Sequence, residues 1–261
     1  MNDKRDNKEE LHENEADRDK IVGRNAVLEA LKAGREIDRI LVAKGSTGLG
    51  KLYAMAMEAG APVKEVAPIK IDELAAGANA QGVVAMAAAH DYASLDDVFR
   101  LAEERNEKPF IIIADGLEDG HNLGAIIRTA ECCGAHGVII PRRRSVGLNY
   151  VVAKTSVGAV EYVPVVRVAN ISRTIDELKE RGVWIYGADM DGTPLWTEDF
   201  TGSVGLVVGA EGEGVSRLTK EKCDFVLSLP MRGKIESLNA SVAASVMMYE
   251  VTRQRMGIKA K

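Results

Sequence analysis

From residue 20 onward, short apolar runs alternate with segments whose apolar side chains recur at helical spacing. Runs at 40–43, 63–66 and 82–86 predict strands, and 26–31, 51–59 and 71–76 predict helices, the first capped by Asn25 and stopped by Gly34. Ser94-Leu-Asp-Asp97 opens an amphipathic helix through Leu95, Val98 and Leu101, inside a connector that ends at Pro109. Beyond it, apolar runs at 110–114, 137–140, 162–166, 183–186 and 205–208 predict strands, with helices at 125–133, 150–156 and 170–181 between them. Val242, Val246, Met247 and Val251 mark a last helix. This alternation predicts an α/β fold whose sheet is mostly parallel and covered on both faces. The expected organisation is a charged disordered tail at 1–19, a small β/α domain at 20–90, a linker at 91–108 and a larger domain at 109–257.

Composition narrows the class. Aromatics make up only 5% of the 261 residues, which suits an aliphatic α/β core better than a sandwich or propeller. Cys132, Cys133 and Cys223 form no disulfide framework and show no metal-ligand spacing. The N-terminus lacks an apolar signal segment, and no apolar run approaches the ~20 residues of a membrane span, so a soluble cytoplasmic protein is expected. The net charge of −5 argues weakly against a nucleic-acid partner, because residues 1–20 hold five Lys/Arg against eight Asp/Glu and the rest is nearly balanced. Local basic patches remain available, among them Arg24 with its neighbours, and Arg142-Arg143-Arg144 as a phosphate clamp or a solvated turn.

Three loops rich in turn residues follow predicted strands: 115–128, 209–214 and 230–241. Strand ends opening into such loops are where open α/β sheets bind ligands. Their glycines permit close approach, while Asn122, Arg128, Glu211, Ser237 and Asn239 supply directed hydrogen bonds. Neither a nucleophile–His–acid set nor a Walker lysine is present, and Gly209-Ala-Glu-Gly-Glu-Gly214 lacks the spacing and position of a dinucleotide fingerprint. The inventory favours group transfer with a bound organic cofactor over hydrolysis.

Asn122-Leu-Gly-Ala-Ile-Ile-Arg-Thr-Ala130, Val208-Gly-Ala-Glu-Gly-Glu-Gly214 and Leu229-Pro-Met-Arg-Gly…Ser-Leu-Asn-Ala-Ser241 resemble, in order, the three motifs of the SpoU (TrmH) branch of SPOUT RNA methyltransferases. The resemblance is greatest to bacterial enzymes that methylate a guanosine 2′-hydroxyl in 23S rRNA. It implies an L30e-like RNA-binding N-terminal domain, a trefoil-knotted methyltransferase domain, S-adenosylmethionine as cofactor and a homodimer with no metal. Carried over, Gly209, Leu229 and Leu238 would contact the cofactor, and Asn122, Arg128, Glu211, Ser237 and Asn239 would surround the ribose. Gly120 stands where the family often has Pro, and Ala80 where a His is common. His121 invites assignment as a base, although a loop histidine beside a helix cap is more often structural. Two other outcomes stay open, a tRNA ribose methyltransferase of the same family and a non-catalytic RNA-binding factor.

Overall fold

The structure, a computed structural model, describes residues 20–88, 90–210, 212 and 214–258. The expected disordered tail at 1–19 and the candidate Glu211 lie outside them. The chain forms two compact units, one reaching to Asp91 and joined by Gly147–Val151, the other comprising Tyr92–Val146 and the chain from Val152 on.

The first unit runs β1 (Lys20–Val22), α1 (Arg24–Lys32), β2 (Ile37–Ala43), α2 (Gly50–Glu58), β3 (Val63–Val66), α3 (Pro68–Ala75) and β4 (Val83–Ala87). Its sheet has the order β1-β4-β2-β3, antiparallel except between β2 and β3. Val27, Ile40, Leu52, Val83 and Ala85 fill its core. The edge strand β1 was not foreseen, because three residues are too short to show a period. Nor is Asn25 the cap of α1: the helix already begins at Arg24, and Gly23 (φ 105°) precedes it without a side-chain cap. Only glycine enters a helix comfortably from that backbone conformation.

The second unit continues with α4 (Leu95–Glu104), β5 (Phe110–Asp115), α5 (Gly120–Cys132), β6 (Gly137–Pro141), α6 (Tyr150–Thr155), β7 (Val165–Val168) and α7 (Ile171–Glu180). It closes with β8 (Trp184–Pro194), β9 (Val204–Gly209), α8 (Arg217–Lys220), β10 (Phe225–Ser228) and α9 (Ala240–Arg255). Six parallel strands lie in the order β10-β8-β9-β5-β6-β7. Phe110 to Ala114 are fully buried, as a central strand covered on both faces requires. Ser94 and Asp97 cap α4 reciprocally, as the Ser-Leu-Asp-Asp pattern foretells. Helix α5 starts five residues earlier than the apolar period indicates. Asp119 caps it, its carboxylate accepting from the His121 amide at 2.9 Å. Gly120 therefore occupies the first helical position, where proline is equally at home.

The end of α9 locks this unit. The Arg255 guanidinium donates to the carbonyls of Lys108 (2.8 Å), Pro109 (3.1 Å) and Gly202 (2.7 Å), and lies over the Phe110 ring. One residue earlier, Gln254 accepts from the Phe200 amide and donates to the Glu198 carbonyl, both at 2.9 Å. The Glu250 carboxylate, buried beneath them, is held below the usual carboxylate range by its bonds to Arg253. Beside the same strand start, His136 is fully buried, and its Nδ1 accepts from the Phe110 amide at 2.9 Å. Its proton therefore sits on Nε2, 3.1 Å from Glu107 Oε2.

Burial pushes the His136 pKa below the ordinary histidine value, more strongly than Glu107 raises it. The unfolded chain then binds a proton that the native state refuses. The stabilisation is complete above about pH 6.5 and is lost as pH falls from there toward the folded pKa. Thermal unfolding measured from about pH 8 to 5 should show this loss, and His136→Asn, which keeps an acceptor for Phe110, should flatten that part of the profile.

Candidate active site

Strand order determines where a ligand fits. After β5 the chain leaves toward β6, whereas after β9 it leaves toward β10 on the other side. A crevice opens where neighbouring parallel strands send their connections apart. Here it is a cleft of about 950 Å³ at the carboxyl ends of β5, β6 and β9. Asp115, Glu118 and Asn122 line it from the β5 side, Arg143 and Arg144 from the β6 side, and Arg217 from beyond β9. The Ser216 amide donates to Asp115 at 3.1 Å, tying the β9 loop to the end of β5.

Asn122 joins the first motif to the third. It sits buried in the first turn of α5, and its Oδ1 accepts from Asn239 Nδ2 at 3.0 Å. Asn239 is in turn the cap of α9, its Oδ1 accepting from the amides of Ser241 (3.0 Å) and Val242 (3.2 Å). Those two donors fix the amide's orientation, so its NH2 must face Asn122. The second motif reaches the same cleft through Ala210 and Gly214, which are joined by a 2.9 Å backbone hydrogen bond. Gly209 is obligatory there, because a Cβ on it would overlap the backbone of Gly214 and Val215.

The third loop, 229–238, is built differently. Leu229 is half-buried, whereas Ser237 and Leu238 are exposed and make no hydrogen bond to the cleft among the described residues. Within those residues no backbone N–H from Met231 to Leu238 donates to the chain itself. A run of unpaired amides flanked by leucines suits a planar, hydrogen-bonding, partly apolar ligand.

Other candidates lie elsewhere. Arg128 is exposed on α5 and has no partner among the described residues. Six residues of helix place it about 120° around the axis from Asn122, and within one chain it lies outside the cleft lining. Arg142 is exposed and outside the cleft lining. His121, also outside it, has Nδ1 3.4 Å from Thr155 Oγ1. Arg24, in the first unit, is half-buried, with an Nε that has no partner. Asp115, Glu118 and Arg217 escaped the sequence reading because the motif pattern drew attention to the glycines between them. No group of three His, Cys, Asp or Glu residues among the described ones can hold a metal ion. Nor is any helix among them long and apolar enough to cross a membrane.

A parallel sheet with a switch-point cleft and a run of unpaired amides defines an α/β ligand-binding domain. Residues 109–249 match the SpoU rRNA methylase family, and residues 20–93 match the RNA 2′-O ribose methyltransferase substrate-binding domain. The chain belongs to the SpoU (TrmH) family of RNA methyltransferases, whose methyl donor is S-adenosylmethionine. It is 48% identical over 244 residues to a Bacillus subtilis (strain 168) protein assigned to the TrmH family of tRNA/rRNA methyltransferases, covering 91% of this chain and 96% of that one. A Staphylococcus haemolyticus protein assigned to the same family is 46% identical over 238 residues, with coverage of 90% and 95%. Among solved structures, the SpoU methyltransferase AviRb from Streptomyces viridochromogenes with bound AdoMet superposes with a TM-score of 0.59 at 25% identity, covering 91% of this chain and 90% of that one.

Gly209→Ala should break the β9 turn without unfolding the sheet. Calorimetric titration with S-adenosylmethionine should show affinity reduced roughly 10- to 100-fold, since misplacing binding groups by about an ångström costs on that scale. Unchanged affinity would show that the turn does not shape the cofactor site.

Proposed function

We propose that this protein transfers a methyl group to the ribose 2′-hydroxyl of a guanosine in 23S rRNA, and that it acts as a cytoplasmic homodimer. The observation that carries the reading is Asn122, which bonds to Asn239 of the third motif and shares with Ala210 and Gly214 of the second a cleft flanked on both sides by arginines. The match of residues 20–93 to an RNA 2′-O ribose methyltransferase substrate-binding domain supports RNA as the partner. Arg24 would contribute to RNA binding in that domain. Arg142, Arg143 and Arg144 would meet backbone phosphates as charge-assisted donors.

Gly209, Leu229 and Leu238 would hold S-adenosylmethionine, within the trefoil knot that the family resemblance implies. When bound, the cofactor would supply an electrophilic methyl group carried on a sulfonium sulfur that can leave as a neutral thioether. The protein's own task is to orient the 2′-oxygen in line and to stabilise it as its proton leaves. Asn122, held rigid by Asn239, would position the ribose, with Ser237 completing the hydrogen bonds around it and Glu211 orienting the arginine. A guanidinium stays protonated, so Arg128 would act as a cation that grips the adjacent phosphate and the developing oxyanion. The phosphate or a water would then accept the proton.

Because Arg128 lies outside the lining of its own cleft, this reading takes it from the partner subunit. The exposed Val242 and Tyr249, seven residues apart on one face of α9, would form the apolar part of the dimer contact. The α5 and α9 faces are continuous, being joined by Thr129 Oγ1 and Ser245 Oγ at 3.1 Å.

Two experiments test the proposal. Ribose-methylation mapping in cells with and without the gene should show loss of one 2′-O-methylguanosine in 23S rRNA; loss confined to tRNA would move the substrate to the other branch. Separately, Asn122→Ala and Arg128→Ala homodimers should each be inactive. Mixing them after partial unfolding should restore methyl transfer, because a mixed dimer holds one intact composite site. No recovery would place Arg128 in its own subunit's site or outside catalysis.

A further inference from the structure

We propose that Glu118 reads the acceptor base and selects guanine; the inference rests on the methyl-transfer reading above. The cleft is organised around the β5 loop. Strand order β9-β5-β6 puts this loop in the centre, with Arg217 on one flank and Arg143 and Arg144 on the other. A nucleotide within an RNA strand carries the same pattern, a phosphate on each side and a base between. The flanking arginines suit the two phosphates, and the central loop suits the base.

That central loop is acidic, which an RNA-binding cleft ordinarily avoids because a carboxylate repels the phosphate backbone. Two of its acids have structural tasks. Asp119 caps α5 through the His121 amide, and Asp115 holds the Ser216 amide. Glu118, exposed on the irregular turn between them, makes no hydrogen bond or ion pair among the described residues. It lines the cleft together with Asn122, four residues on, where the ribose is placed. An ionised carboxylate has acceptors only, two oxygens side by side.

Of the four bases, guanine alone offers a matching edge, the parallel N1–H and N2–H donors. Adenine and cytosine set a ring-nitrogen acceptor beside their amino group, and uracil sets its single N–H between two carbonyl oxygens. Each of these turns an acceptor toward the carboxylate. A base splayed out of its stack is read along this Watson–Crick edge.

The test uses RNA transcripts spanning the acceptor mapped in cells, with guanosine, inosine or adenosine at that position. The wild-type protein should methylate the guanosine RNA roughly 10- to 100-fold faster than the adenosine RNA, the range expected for a bidentate base contact. Inosine, which lacks the N2 amino group, should fall between them. Glu118→Gln should bring the three rates within a few-fold of one another, chiefly by slowing guanosine. S-adenosylmethionine binding should be retained in the variant, showing that the loop remains folded. A guanosine preference that survives Glu118→Gln overturns this proposal and leaves the methyl-transfer reading standing; a mapped acceptor other than guanosine overturns this proposal and the guanosine assignment but leaves ribose methyl transfer standing. Absence of methyl transfer to any RNA overturns both.

Discussion

The site depends on one side-chain hydrogen bond, that between Asn122 and Asn239. Each residue is committed on its other side, Asn122 to the first turn of α5 and Asn239 to the exposed amides at the start of α9. The bond therefore joins two helices through the ends that face the cleft. Because Asn122 is buried, losing this bond from its Oδ1 would cost about 1 kcal/mol or more. Asp115 performs the matching task for the β9 loop through Ser216. Two short contacts thus bring into register three segments that are more than 80 residues apart at the extremes.

The opposite end of α9 supplies the rigidity those contacts need. Arg255 forms no salt bridge among the described residues; it satisfies backbone carbonyls from two separate chain segments and stacks on Phe110. Desolvation accordingly lowers its pKa. A guanidinium remains charged even there, and each charge-assisted bond to a carbonyl is worth more than a neutral one. The helix is fixed at its cleft end by an amide and at its far end by a cation. The Arg253–Glu250 pair and Gln254 add to the far attachment.

Most elements of the second unit were legible because fully apolar runs such as Phe110–Ala114 have few alternatives to a central parallel strand. Asn122 and Asn239, in two separate motifs of the sequence, are hydrogen-bonded in the fold. What the period missed has physical causes. Helix α5 begins within a stretch that reads as loop, because Gly120, His121 and Asn122 carry no apolar period and only the Asp119 cap marks the start. Helix α8 is a single turn set by Ser216 and Thr219, whose hydroxyls meet at 2.8 Å, and it left no pattern to find. Val242, counted with the apolar face of α9, is exposed, while Met247 and Val251 are buried. One chain's core does not account for it. Arg128 illustrates a different limit, since proximity in a motif says nothing about which side of a helix a residue faces.

Helix α9 is made after every residue that lines the cleft. During synthesis the residues that line the cleft, from Asp115 to Arg217, leave the ribosome well before the helix that aligns them. Asn122 must wait for Asn239, and the start of β5 for Arg255. A nascent chain therefore carries the sheet before the cleft's motif loops are aligned, and that alignment arrives with a single helix rather than growing with the fold.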